Sequence, residues 1–185
     1  EISSSVSIAS DDELSRAGTD YPDWVKGHHL QLPNSLPERV KRLARETTQR
    51  ANNPFDKAWA IQTYLRTLEY SLNVDAPPFK ADGVDHFLFE SKKGYSDYFA
   101  SAMVVLLRSV GVPAQVAAGY WYGTYDVESK TFLIRDTDSH TWPQVYFPNY
   151  GWIDFEPSPN RPIPQRDLLL GGEFEGLGAG EEIPE

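Results

Sequence analysis

The segment between residues 94 and 114, GYSDYFASAMVVLLRSVGVPA, constrains the fold more than any other part of this chain. Its apolar residues recur at the spacing of one helical face, which predicts a helix apolar enough to lie in a protein core. They are Phe99, Ala102, Met103, Leu106, Leu107 and Val110. Gly111 and Pro113 predict that the helix ends near residue 110, because glycine favours the left-handed cap and proline cannot continue a helix. Other elements must therefore pack around this central helix.

Two further helices are predicted before the central one, in NSLPERVKRLARETTQRA and in NNPFDKAWAIQTYLRTL. In the first, Ser35 and Glu38 have the spacing of a capping box, and Pro37 suits a first helical turn. In the second, Asn53 is the expected N-cap, and a proline follows it at the first helical position. A short strand in EYSL and a loop over residues 73–86 are expected next.

After the central helix the pattern changes to short segments rich in β-branched and aromatic residues, which indicates strands. Four are predicted, in AQVAAGYWYG, KTFLIRD, HTWPQVYFP and GWIDFEP. Helices followed by an antiparallel meander predict an α+β fold in which the central helix packs on the sheet. Pro143 interrupts the third strand, and because proline lacks a ladder donor we expect an edge or a bulge there.

The net charge of −10 is concentrated at the two ends of the chain. We expect a flexible acidic segment over residues 1–20, a folded domain over 21–165, and an acidic, glycine-rich linker over 166–185. A near-neutral domain between acidic ends does not suit nucleic acid, which needs a basic surface. No apolar run reaches the roughly 18 residues of a membrane span.

The chain has no cysteine, and its four histidines do not have zinc-site spacings. We therefore expect neither a metal site nor a cofactor. The adjacent His28 and His29 are interpreted as a polar turn rather than as a ligand pair.

The start of the central helix is the best candidate for chemistry. Backbone N–H groups and the positive end of the dipole stabilise an anion at such a place, so Ser96 could be a nucleophile with oxyanion donors beside it. His140 could serve as its base, and Asp154 or Glu156 could orient the imidazole. Both acids lie on one face of the last predicted strand, so spacing does not choose between them. Ser96 could equally be an N-cap without a catalytic role.

Two long segments carry a specific set of motifs: FLFESKKGYSDYFASAMVVLLRSVGVPAQVAAGYWYG and DSHTWPQVYFPNYGWIDFEPSP. They resemble the transglutaminase-like superfamily, in particular its bacterial branch of soluble domains within membrane-anchored proteins. The resemblance implies a papain-like fold, a Cys-His-Asp type triad and an extracytoplasmic domain of a membrane-anchored bacterial protein. Matched by motif, the cysteine falls on Ser96, the histidine on His140 and the acid on Glu156, with Asp154 as second choice.

The serine at position 96 changes what the resemblance implies. With a cysteine there, the domain would transfer acyl groups from glutamine side chains or hydrolyse peptide amides, and its partner would be a peptide, a protein or cell-wall peptide. A hydroxyl is far less ionised than a thiol, so we expect the serine-bearing chain to be inactive or greatly impaired. Either the serine was introduced into a cysteine enzyme, or the protein is a natural pseudoenzyme.

Two alternative functions remain open. A non-catalytic module could bind peptide or cell-wall material in a cleft lined by aromatic side chains; the candidates are Tyr95, Tyr98, Trp121 and Trp142. Trp59 is a further candidate for substrate contact, as a second oxyanion donor. The third hypothesis is a Ser-His-Glu hydrolase.

Overall fold

The computed structural model describes residues 7, 9–121 and 123–166, where six α-helices and seven strands follow one another. The helices are α1 Asp11–Ser15, α2 Asp23–His29, α3 Glu38–Thr47, α4 Pro54–Leu65, α5 Gly83–His86 and α6 Ser96–Ser109. The strands are β1 Glu69–Tyr70, β2 Lys93–Gly94, β3 Ala114–Tyr120, β4 Thr124–Asp126, β5 Thr131–Leu133, β6 Ser139–Phe147 and β7 Gly151–Asp154. Helices come first and the main sheet second, so the α+β prediction is confirmed.

Helix α6 is the central helix that the sequence predicted. It packs on β6 and β3 as well as on α3 and α4, and its apolar face is fully buried. Each large side chain buried in this way contributes about 1.5–3 kcal/mol to folding. Gly111 (φ +77°) ends the helix in a Schellman motif, in which the N–H groups of Gly111 and Val112 donate to the carbonyls of Arg108 and Leu107.

The main sheet has three antiparallel strands in the order β3-β6-β7. The predicted meander of four strands is therefore wrong in one member, because β5 pairs with β4 in a separate hairpin whose residues are all exposed. Gly123 (φ +67°) turns the chain into this hairpin, and a Cβ on it would lie 2.3 Å from the carbonyl oxygen of Leu133. The hairpin extends from the end of the sheet at which β6 begins.

Pro143 lies in the central strand of the sheet, and its register with Val116 continues without a bulge, so the predicted edge or bulge is wrong. The carbonyl of Pro143 accepts from the N–H of Phe155, one residue beyond the end of β7. The N–H and C=O of a residue in an antiparallel strand point to the same neighbouring strand. The N–H that Pro143 lacks would therefore face the end of β7, where the β6–β7 ladder stops.

The sequence predicted α3 and α4 before α6, but it identified the N-cap correctly only in α4. Asn53 caps α4 as expected, since its Oδ1 accepts from the N–H of Asp56 at 2.8 Å. The capping box at Ser35 is wrong: α3 begins at Glu38 behind Pro37, without a side-chain cap. Proline disfavours helical backbone at the residue before it, so a helix cannot start upstream of Pro37.

The loop predicted over residues 73–86 is also helical at its end. Asp82 caps α5, with its side chain accepting from the N–H of Asp85, and a π-helical turn over Phe87–Ser91 follows. The chain then enters β2, which pairs in parallel with β1 immediately before α6.

Part of the segment predicted to be flexible, residues 1–20, is helical, since α1 spans Asp11–Ser15. Helix α1 has a complete capping box between Ser10 and Glu13, and its Leu14 is fully buried in the core. Arg166 pairs with Asp11 at 3.0 Å. The rest of the predicted glycine-rich linker, residues 167–185, lies outside the described residues.

A bidentate ion pair between Arg39 and Asp85, with both N···O distances 2.6 Å, joins α3 to α5. The Arg39 guanidinium holds the pKa of Asp85 below its ordinary value. This contribution to stability is present above the ordinary aspartate pKa of about 3.9 and is lost as the pH falls through the lower folded value. Because Arg39 is partly exposed, we expect Asp85→Asn to cost about 1 kcal/mol near neutral pH.

Urea unfolding as a function of pH measures this difference. It should disappear under strongly acidic conditions, whereas Glu90→Gln, which removes the charge from a single and more exposed bond to Arg39, should cost less throughout. A constant difference for Asp85→Asn down to the lowest pH at which the protein is folded would contradict the assignment.

Candidate active site

Ser96 is the first residue of α6, and Tyr95 is the N-cap without a side-chain cap bond. The interpretation of Ser96 as a mere N-cap is therefore wrong. The backbone just before it is held by the β1–β2 pair, in which the N–H of Ser71 donates to the carbonyl of Gly94 at 2.8 Å. A Cβ on Gly94 would lie 2.7 Å from the Cβ of Tyr98, so only glycine allows Tyr98 to fold back there. Ser96, only 8% exposed, lies at the positive end of a 14-residue helix.

His140 and Glu156 form a buried pair, 4% and 1% exposed, with 2.5 Å between Nε2 and Oε2. His140 is the second residue of β6, and Glu156 lies two residues beyond the end of β7. Because Nε2 is committed to the carboxylate, Nδ1 is the ring nitrogen that remains to exchange a proton with a nucleophile.

Asp154 does not contact His140 in this way. It is exposed and accepts from the indole Nε1 of Trp142 at 2.9 Å and from the Nε2 of Gln144 at 2.8 Å. Strand β7 ends at Asp154, so the alternation that would place both acids on one face no longer holds at Glu156. The structure thus brings the first-choice acid to the histidine and gives the second choice to a neighbouring tryptophan.

Besides Oε2, which bonds to His140, the other polar atoms of Glu156 are held by residues that the sequence did not single out. Its Oε1 accepts from the N–H of Ser158 at 2.8 Å, and its own N–H donates to Oε1 of Gln62 at 2.9 Å. Arg66 donates to its carbonyl at 3.0 Å. One sequence signal could have indicated Gln62, because it is a polar residue within the apolar stripe of α4. In the structure its side chain is completely buried.

Buried polar residues are few among the described residues, and most of them belong to this constellation. They are Thr48, Gln62, Ser96, His140, Glu156 and Ser158. Four of them are connected through the bonds to Glu156, and the hydroxyl of Thr48 bonds within its own helix region. Buried polar groups are costly unless paired, so their concentration around one carboxylate marks a specialised site.

Aromatic rings lie beside His140 and at the start of α6. Trp121 meets the His140 ring edge-on at 5.6 Å, and Trp142 lies nearly parallel to it at 6.1 Å. Tyr95 and Tyr98 form a perpendicular pair at 4.9 Å at the start of α6. Burial, with the neighbouring Tyr98 and Asp97, raises the pKa of Tyr95, so its phenol stays neutral.

Trp59 makes its contacts elsewhere. It stacks on Phe55 at 6.3 Å, is 40% exposed and lines a cleft of about 510 Å³ with Asp11, Arg66 and residues 162–166. Arg66 therefore bonds to the site acid and also lines this cleft.

His28 and His29 lie in the last turn of α2, not in a polar turn, and His29 packs against Trp152 at 4.5 Å. Within residues 9–121 and 123–166 no cluster of three or more His, Cys, Asp or Glu side chains could hold a metal ion. None of the helices in these ranges has the length and apolarity needed to cross a membrane.

Known proteins resemble this chain in sequence and in fold. Residues 41–157 match the model of the transglutaminase-like superfamily. YebA of Bacillus subtilis is 45% identical over 137 residues, which is 70% of this chain and 19% of YebA. A protein-glutamine gamma-glutamyltransferase of Pseudomonas aeruginosa is 31% identical over 157 residues, 83% of this chain and 24% of the relative. The chain thus spans about a quarter or less of these relatives.

The periplasmic domain of TgpA from Pseudomonas aeruginosa superposes with a TM-score of 0.67 at 31% identity, covering 75% of this chain and 50% of that one. A Cytophaga hutchinsonii protein with a TM-score of 0.57 and 18% identity, covering 78% of this chain and 47% of its own, shares the fold. The sequence match extends over more than half of the chain, from α3 to just beyond Glu156. The chain belongs to the transglutaminase-like superfamily.

Proposed function

We propose that this domain is an acyl-transfer scaffold of the cysteine type, acting on glutamine side chains or peptide amides, with Ser96 at the nucleophile position. The observation that supports it most is the buried bond between His140 and Glu156, in a member of this superfamily whose Ser96 begins the central helix. With serine at position 96, the domain is inactive or greatly impaired.

With a thiol at position 96, the residues would divide the work as follows. The Nδ1 of His140 takes the thiol proton, and the sulfur attacks the carboxamide carbonyl. The backbone N–H of residue 96, at the start of α6, donates to the developing oxyanion. The imidazolium then protonates the leaving ammonia or amine and a thioester remains. An incoming amine or water loses its proton to His140 and breaks the thioester.

Glu156 has an electrostatic role in each of these steps. Its carboxylate stabilises the imidazolium and fixes the ring so that Nδ1 faces the nucleophile. With serine the same pair has to ionise a hydroxyl, which is much less acidic than a thiol, so the first step is slow.

The relatives support a more specific assignment. The Pseudomonas aeruginosa relative carries the name protein-glutamine gamma-glutamyltransferase, which favours a protein glutamine as acyl donor over cell-wall peptide. The superposed TgpA domain is periplasmic, which favours an extracytoplasmic location for this domain, within a membrane-anchored bacterial protein.

A binding module is the second candidate. The serine itself and the two tryptophans beside His140 favour it, because rings near a non-reactive site can hold a peptide without turnover. A Ser-His-Glu hydrolase is compatible with the same three residues.

Replacement of the serine tests competence directly. We expect Ser96→Cys to create a thiol that reacts with iodoacetamide at least about tenfold faster than the thiol of Ser101→Cys, because the helix start and the imidazole lower its pKa. Ser101 is a half-buried serine in the same helix and is the matched control. The Ser96→Cys protein should also release ammonia from glutamine-containing peptides, which the unaltered chain does not.

The same assay separates the alternatives. A reactive thiol without turnover of any glutamine or peptide substrate, together with peptide binding by the unaltered chain, would favour the binding module. Labelling of Ser96 by a fluorophosphonate would favour the serine hydrolase. Equal reactivity of the two thiols would contradict the proposed site.

The two carboxylates provide a second test in the Ser96→Cys background. Glu156→Gln should lower kcat by about 10²-fold or more, because the amide cannot stabilise the imidazolium. Asp154→Asn keeps an oxygen that can accept from Trp142, so its loss should be much smaller. Steady-state kinetics on a glutamine peptide measures both, and a larger effect of Asp154→Asn would reverse the assignment of the acid.

A further inference from the structure

We propose that Gln62, in the last turn of α4, and Arg66, the C-cap residue of that helix, are positioning residues that hold the backbone of Glu156 and thereby aim its carboxylate at His140. The inference rests on the proposed function only in taking His140 as the catalytic base. It adds to the site two residues that act through Glu156.

Glu156 lies where the sheet can no longer hold the chain. Strand β7 ends at Asp154, and the last ladder-like bond is from the N–H of Phe155 to the carbonyl of Pro143. Beyond it, Pro157 has no N–H to donate. Both backbone polar groups of Glu156 are instead satisfied by the C-terminal end of α4 and its cap: Gln62 accepts from the N–H of Glu156 at 2.9 Å, and the C-cap Arg66 donates to its carbonyl at 3.0 Å.

Arg66 also holds the group that binds the other carboxylate oxygen. Its guanidinium donates to the carbonyl of Ser158 at 2.7 Å and to that of Arg161 at 3.0 Å. The N–H of Ser158 in turn donates to Oε1 of Glu156. The planar fork of arginine spans three carbonyls, which the single ammonium of lysine cannot do with the same geometry.

The amide of Gln62 is explained by this one bond. The side chain is completely buried, and its Nε2 has no partner among the described residues. A buried unpaired donor is destabilising. Leucine or methionine would suit this position of the apolar stripe better, except that the N–H of Glu156 would then lose its acceptor. The residue type therefore fits a role in placing Glu156 better than a role in packing.

A structural role and a positioning role predict different results. If Gln62 only stabilises the fold, its loss lowers the melting temperature and leaves the bond between His140 and Glu156 unchanged well below that temperature. If it positions Glu156, the bond weakens while the fold is intact.

Proton NMR of the full chain, with its native Ser96 and ¹⁵N-labelled histidine, observes this bond directly. The proton between Nε2 of His140 and Glu156 should give a downfield signal, assigned by its absence in His140→Gln. In Gln62→Met and in Arg66→Lys we expect its exchange with solvent to become about tenfold faster, because one bond holding the acid is lost.

Two controls match these variants. Ile61→Val truncates a buried residue next to Gln62 on α4, and Gln115→Met removes an amide that bonds only to Gln144 among the described residues. Neither should change the downfield signal. Unchanged exchange in Gln62→Met, an equal change in Ile61→Val, or absence of the signal from the unaltered chain would overturn the proposal. If Gln62→Met does not fold, Arg66→Lys decides by the same criterion.

The NMR result does not depend on the nucleophile, so the inference and the proposed function can fail separately. A weakened bond with an unreactive Ser96→Cys thiol would retain the positioning role and reject the acyl-transfer function. A reactive Ser96→Cys thiol together with an unchanged NMR signal in Gln62→Met would retain the acyl-transfer function and reject the positioning role.

Discussion

The contact between His140 and Glu156 is the interaction on which the rest of the site depends. Burying an imidazole and a carboxylate together is costly unless the pair is close and the remaining polar atoms are satisfied. Here the pair is 2.5 Å apart, and the second oxygen, the N–H and the carbonyl of Glu156 each have a partner. The surrounding network therefore offsets the cost of keeping this polar pair inside the protein.

This arrangement uses parts of the chain that are far apart in sequence. The imidazole comes from the start of the central strand β6 and the acid from the segment after β7. The support comes from the C-terminal end of α4 and its cap, 90 and 94 residues before the acid. The nucleophile position comes from α6, which packs across β6. Helix α6 thus has two roles: its apolar face forms the core, and its N-terminus, the positive end of the helix dipole, carries Ser96.

The sequence predicted the elements whose signals are local. The apolar period of α6, the cap at Asn53 and the glycine that ends α6 each act within a few residues, and all were confirmed. The choice between Asp154 and Glu156 could not be made in this way, because it depends on where β7 stops. The roles of Gln62 and Arg66 were not predicted, because their partners are distant in sequence. Helix α1 was not predicted either, because its single buried leucine lies among acidic residues that suggested a flexible segment.

The ion pair between Asp11 and Arg166 fastens the two ends of the described domain to each other. A domain whose first and last residues lie close together can be inserted in a longer polypeptide with little strain on the flanking chain. Tension along such a polypeptide would act on this contact before it reached the core that α6 forms.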